Sequence, residues 1–266
     1  MKTLTIASMG AFAAIYAILR IIPTFPVIGL PSASFSVSDF LVPIYGIILG
    51  PYLAAGTIFF GTFLAVVFGK PLIFLGLDFI PGCLGAFAAG MISRDIKFRI
   101  TEHSITSSSR AIIVRGDNVI AILFALVLIL FWSLPLTEVF IPITDQISMP
   151  FNSMHLLALA VLISPLGKAS QKWISSSSPS LILRGIIIIS LIGTMFQHAI
   201  GSIVFESIMG LYLGSISAEA FPGIWKVIFP LIPIERSILI LGSTLLGVPL
   251  IRSLRTSGFD KKILER

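Results

Sequence analysis

Long apolar runs alternate with short polar breaks along this chain, and most of the runs are too uniform for the core of a soluble domain. Eight apolar segments stand out, at roughly 4–22, 37–49, 51–69, 72–93, 118–134, 153–167, 185–209 and 234–251. A helix needs about 20 apolar residues to cross hydrocarbon, and fewer where protein shelters it. The second and sixth segments are short. They predict helices covered by neighbours or extended by irregular backbone lining a cavity. Gly50-Pro51 predicts a tight turn in which the proline opens the next helix. The predicted fold is an all-α, polytopic transmembrane helical bundle forming one domain over residues 1–266.

Polar positions inside these runs carry the next signal. FQHAIGSIVFE, residues 196–206, places Gln197, His198 and Glu206 in an apolar segment. Ionisable groups there are costly and normally face a bundle interior, a wet cavity or a substrate path. His198, Ser202 and Glu206 recur every four residues and form one stripe along a helix. With the segment running outward from Arg184, Glu206 falls near the outer interface and His198 about 12 Å deeper. Two readings stand. His198 hydrogen-bonds a neighbouring helix while Glu206 reaches water, or the stripe lines an outward-facing pocket.

Composition agrees with the pattern. Hydrophobic residues make up 56% of the chain and charged residues 11%, against about a quarter charged in soluble domains. The net charge of +6 does not point to nucleic acid, because the basic residues are scattered between apolar spans. It reports orientation instead. With both termini inside, the inner loops hold Lys2, Arg94, Lys97, Arg99, Arg110, Arg115, Lys168, Lys172, Arg184, Arg252, Arg255, Lys261, Lys262 and Arg266. Only Arg20, Lys70, Lys226 and Arg236 fall outside. Cytoplasmic termini in a multi-pass cell-membrane protein are therefore expected. The N-terminal run, followed by Arg20 and Pro23 without a small-residue cleavage site, reads as a retained first helix.

The longest polar stretch, about 94–117, holds Ser107-Ser108-Ser109 and reads as a cytoplasmic linker with an amphipathic start at 95–100. Segments five and six form a hairpin between this linker and a shorter one at Ser175–Ser178. Residues 253–266 read as a cytoplasmic tail. Two outer stretches, 23–35 and 210–233, are apolar and rich in proline. They suit either a lid over a pocket or interfacial anchoring through Trp225 and phenylalanines.

Individual residues offer several roles. Ser36-x-x-Asp39 matches a capping box. Asp78 lies in an apolar run and needs a partner, for which Arg20, Lys70 and Arg236 are candidates. Glu235 follows Pro233 and suits the first turn of the last helix, where the dipole favours an acid. Small residues repeat at four-residue spacing in the first segment, including Ala7 with Ala11 and Gly10 with Ala14, a pattern that lets helices approach closely. Internal packing accounts for it equally. The single Cys83 allows no intramolecular disulfide. His103, His155 and His198 lie far apart in sequence, so no metal site is predicted and no cofactor is implied. Motifs of zinc peptidases, serine hydrolases and P-loop ATPases are missing, so no catalytic residue is assigned.

SVSDFLVPIYGIILGPYLAAGTIFFGTFLAVVFG (36–69) resembles the second and third helices of the S components, the substrate-binding membrane subunits of energy-coupling-factor (ECF) transporters. IASMGAFAAIYAILRIIP is similar to that family's alanine-rich first helix, and IPIERSILILGSTLLGVPLIRSL to its last. The likeness covers about 1–93 and 185–252; the hairpin within 94–184 is extra to the usual six helices. The resemblance implies capture of a vitamin or similar small molecule at the outer side, with a transmembrane coupling subunit and cytoplasmic ATPases as partners. It implies a partner face at Ala7, Gly10, Ala11 and Ala14. It implies a pocket from the 23–35 loop with Asp78, His198, Ser202, Glu206, Trp225 and Glu235, which the extra hairpin could fill or reshape. Membrane lipid is the surrounding partner and nucleic acid is not. Three other classes compete: a membrane enzyme acting on lipid or peptide through His198 with Glu206 or Asp78 beside it, a stand-alone carrier coupled to ions through Asp78 or Glu206, and a structural protein.

Overall fold

The computed structural model describes residues 3–102 and 110–259. Lys2, His103, Ser107–Ser109, Lys261, Lys262 and Arg266 lie outside the described residues, as does the second half of the expected tail, 260–266. Among the described residues the chain is mainly helical. Helices run over Thr3–Ile21 (α1), Leu41–Leu49 (α2), Pro51–Val67 (α3), Ile80–Ser93 (α4), Gly116–Ser133 (α5), Ser153–Ile163 (α6), Pro165–Ile174 (α7), Pro179–Phe205 (α8) and Phe221–Thr256 (α9). Four helices are long and apolar enough to cross a membrane, or five if α6 and α7, bent by 69°, form one span. Large apolar side chains stay exposed along them, including Ile18 on α1, Ile122 on α5 and Leu245 on α9.

Several segment boundaries differ from expectation. Residues 72–79 are irregular, and the fourth helix starts only at Ile80. The last helix starts at Phe221 and keeps Pro230, Pro233 and Pro249 inside it, so most of the expected 210–233 loop is helical. Prolines are tolerated in such helices because neighbours and local backbone adjustment satisfy the freed carbonyls. Glu235 consequently sits well inside α9, and the first-turn dipole reading does not apply. Within 94–117, Lys97–Glu102 (β3) pairs antiparallel with Arg110–Arg115 (β4), so the expected amphipathic start at 95–100 falls largely on a strand. Alternating large apolar residues such as Phe98, Ile112 and Val114 suit a strand. Two more hairpins pair Pro23–Val27 (β1) with Leu30–Ser36 (β2) and Phe140–Pro142 (β5) with Ser148–Pro150 (β6).

Small residues set the helix spacing. A Cβ on Gly46 of α2 would meet the Ala86 carbonyl oxygen of α4 at 2.4 Å, and one on Gly90 would meet Pro51 N at 2.4 Å. Backbones thus touch at these crossings. Gly50 permits the α2–α3 turn with φ of +82°. On the other side of α4, Gly85 would meet Gln197 Cβ of α8 at 3.0 Å. α4 therefore holds α2, α3 and α8 together. α1 packs on α3, with Ala13 and Tyr16 against Gly61. Helices α1–α4, α8 and α9 make six, and α5–α7 with two of the hairpins make the intervening 94–178.

Candidate functional site

One end of the bundle holds a cavity of about 140 Å³ that opens through a mouth. The end of α1, the β1–β2 hairpin, the ends of α3 and α8 and the starts of α2 and α4 surround it, with α9 along one side. Among the described residues, no lining residue comes from 94–184. The described part of that segment therefore leaves the cavity unfilled.

The β1–β2 hairpin forms its roof. Pro26, Val27, Ile28 and Phe35 line the space beneath. Gly29 turns the hairpin with φ of +87°, and a Cβ there would press on Ile224 and Ile216 at 3.0 and 3.3 Å. The roof thus rests on the first turn of α9 and on the segment before it. Phe74, Phe205, Trp225, Ile228 and Leu231 add apolar wall. A mostly apolar concavity with a few fixed polar groups is the usual form of a small-molecule site.

Polar groups enter at defined places. Asp39, 6% exposed, accepts from Ser36 N at 3.1 Å, the carboxylate half of a capping box. Its other oxygen accepts from Gln197 Nε2 at 3.1 Å, which ties the start of α2 to α8. Asp78 accepts from the backbone N–H groups of Ile73 and Phe74 at 2.9 and 3.0 Å. Its carboxylate is therefore held by its own loop, while Arg20 donates to its carbonyl at 3.4 Å. Arg20 also donates to the Tyr16 hydroxyl at 3.2 Å. Lys70 reaches Ser34 Oγ at 3.3 Å, linking the end of α3 to the roof. Burial and the Arg20 charge push the Lys70 amine below its ordinary pKa, against the pull of Asp39 and Asp78. Glu235 and Arg236 form a buried pair at 3.4 Å, and the Arg236 guanidinium lies over the Phe35 ring of the roof.

Five of the six residues named from sequence, Asp78, His198, Ser202, Trp225 and Glu235, line this cavity. Glu206 does not. It is fully buried and accepts from Leu136 N and Thr137 Oγ1, both at 2.7 Å. A π-helical turn over Glu206–Tyr212 ends the regular helix there, and the carboxylate faces the chain after α5. Glu206 therefore does not reach water as an outer-interface acid. Trp225 is 1% exposed and donates to the Leu136 carbonyl at 2.8 Å, so it is no interfacial anchor. His198 has an unexpected neighbour: its Nδ1 lies 3.0 Å from His155 Nε2 of α6. Sequence reasoning overlooked this pairing, and it gave Arg20, Lys70 and Arg236 only the role of partners to Asp78. Among the described residues no group of three or more His, Cys, Asp or Glu is arranged to hold a metal ion.

The small-residue face of α1 divides. Ala13 and Ala17 are buried against the chain, whereas Ala7, Gly10 and Ala11 are exposed and Ala14 is half-buried. A Cβ on Gly10 would meet nothing within 4 Å.

No protein-family model, curated protein or solved structure matches this chain.

Proposed function

We propose that this chain is a membrane-embedded substrate-capture subunit for ATP-driven uptake of a vitamin or similar small molecule, energised by separate coupling and ATPase subunits. The observation that carries the reading is the roofed cavity at one end of the bundle, with an apolar wall and a few buried polar groups. The basic cluster of Arg94, Arg115, Lys172 and Arg255 lies at the opposite end. A cytoplasmic position for that cluster follows the positive-inside rule and turns the cavity outward. The six helices outside the extra segment fit the S-component resemblance in number. The open small-residue face of α1 is available for a coupling subunit.

A second reading, a stand-alone carrier coupled to protons, draws on the buried His155–His198 pair. Its acidic candidates are less suited, since Asp78 and Glu206 are each engaged by two donors. Purification of the tagged chain from its native membrane in mild detergent, with mass spectrometry, separates the two. A coupling membrane subunit and P-loop ATPases should accompany it. Isolation of the chain alone, with uptake persisting in cells that lack those ATPases and following the proton gradient, would overturn the capture-subunit reading.

A further inference from the structure

The formal charges lining the cavity balance: Arg20, Lys70 and Arg236 against Asp39, Asp78 and Glu235. Net charge therefore does not select a ligand. The distribution of hydrogen-bond partners does. Each carboxylate is already engaged: Asp78 by two backbone N–H groups, Asp39 by a backbone N–H and the Gln197 amide, Glu235 by Arg236. The cations are not matched in the same way. Among the described residues Arg20 has only the Tyr16 hydroxyl and one carbonyl, with five N–H donors to place. Among the same residues Lys70 has only the Ser34 carbonyl and hydroxyl. Arg236, 3% exposed, keeps Nε without a partner. Among the described residues neither Arg20 nor Lys70 makes an ion pair. Cations sheltered from water at this low-dielectric end gain most from a charge-bearing acceptor.

We infer that the cavity takes a small organic carboxylate, an apolar body with one anionic group, and that Arg20 and Lys70 bind the anionic end. The apolar body lies against Phe74, Phe205 and Trp225 beneath the roof. This rests on the capture reading above. A cationic ligand is disfavoured because it would compete with the protein's own donors for each carboxylate.

The test uses three probes with one apolar body: 2-naphthylacetate, 2-naphthylacetamide and 2-naphthylethylamine. Equilibrium dialysis against the detergent-solubilised full chain, with empty micelles as reference, gives the three affinities. The acid should bind at least about 10-fold tighter than the amide, the amount expected of one charge-assisted contact. Lys70→Gln should lower that ratio several-fold, with Arg20 holding the remainder, and Lys70→Arg should keep it. Lys70 lies on a half-buried loop, and the wild-type acid-to-amide ratio decides the class by itself if the variant fails to fold. Equal binding of acid and amide, or tighter binding of the amine, overturns the anion assignment and leaves capture standing. Binding of none of the three, with no small molecule released from the purified protein, overturns both.

Discussion

His155 Nε2 and His198 Nδ1 face each other at 3.0 Å, joining α6 to the cavity wall on α8. Facing ring nitrogens at that distance share one proton, so one ring donates and the other accepts. Phe151 stacks beside His155 with ring centroids 6.3 Å apart. The start of α6 thus supports the cavity from behind. His155→Phe should weaken probe capture through His198, and adding His198→Ala should cost little more. A double-mutant cycle on probe affinity should give a coupling of about 0.5–3 kcal/mol; strict additivity would show that the rings act separately.

Glu206 is a structural tie between α8 and the chain after α5. Glu206→Ala leaves Leu136 N–H without its acceptor, at a cost of roughly 1–3 kcal/mol. The thermal midpoint in detergent should fall, while affinity for the acid probe stays unchanged. Glu206→Gln keeps an acceptor and should recover most of the midpoint. Loss of affinity at an unchanged midpoint would place Glu206 in the site after all.

The backbone contacts of α4 leave no room for a methyl group. Gly90→Ala sets a Cβ 2.4 Å from Pro51 N, and overpacking of this kind costs about 1–3 kcal/mol or more. Gly10→Ala, which meets nothing within 4 Å, should leave thermal stability intact or slightly improved. Equal midpoints for the two variants would show that α2–α4 can separate freely.

Lys70 supplies a pH dependence. Burial and Arg20 lower its pKa, while Asp39 and Asp78 oppose the shift. A lowered amine pKa means that the fold disfavours the charged form. Ligand-free stability should therefore rise as pH climbs from the lowered value toward the unfolded one. Anion capture runs the opposite way and should fall as the amine loses its proton. Lys70→Arg should hold capture constant over that range, and a wild-type profile identical to that of the arginine variant would exclude Lys70 as the titrating group.

The exposed part of the α1 small-residue face predicts a coupling defect. Ala11→Leu should impair uptake in cells while probe affinity of the purified protein is retained. Normal uptake would show that no partner docks there.

The fold was legible where one local rule dominates. The Gly50-Pro51 turn, the apolar runs and the capping acid at Asp39 follow from backbone geometry and hydropathy. The start of α9 was hidden because prolines at 222, 230 and 233 mimic a loop, and only packed neighbours make them tolerable. At the site, helical spacing brought out His198 and Ser202. The same spacing misplaced Glu206, since the π-helical turn and the Leu136–Thr137 partner depend on contacts about 70 residues away in the chain. The His155–His198 contact joins residues 43 apart across α7 and leaves no sequence signal. The resemblance named the roof loop and the small-residue face, and it offered no guide to 94–184.

The most direct measurement is native mass spectrometry of the chain purified in mild detergent, comparing wild type with His198→Ala combined with Lys70→Gln, and with Glu206→Ala. A cavity that captures a small molecule predicts one added ligand mass on wild type and on Glu206→Ala, and none on the cavity variant. The same mass on all three, or on none, would contradict capture at this site.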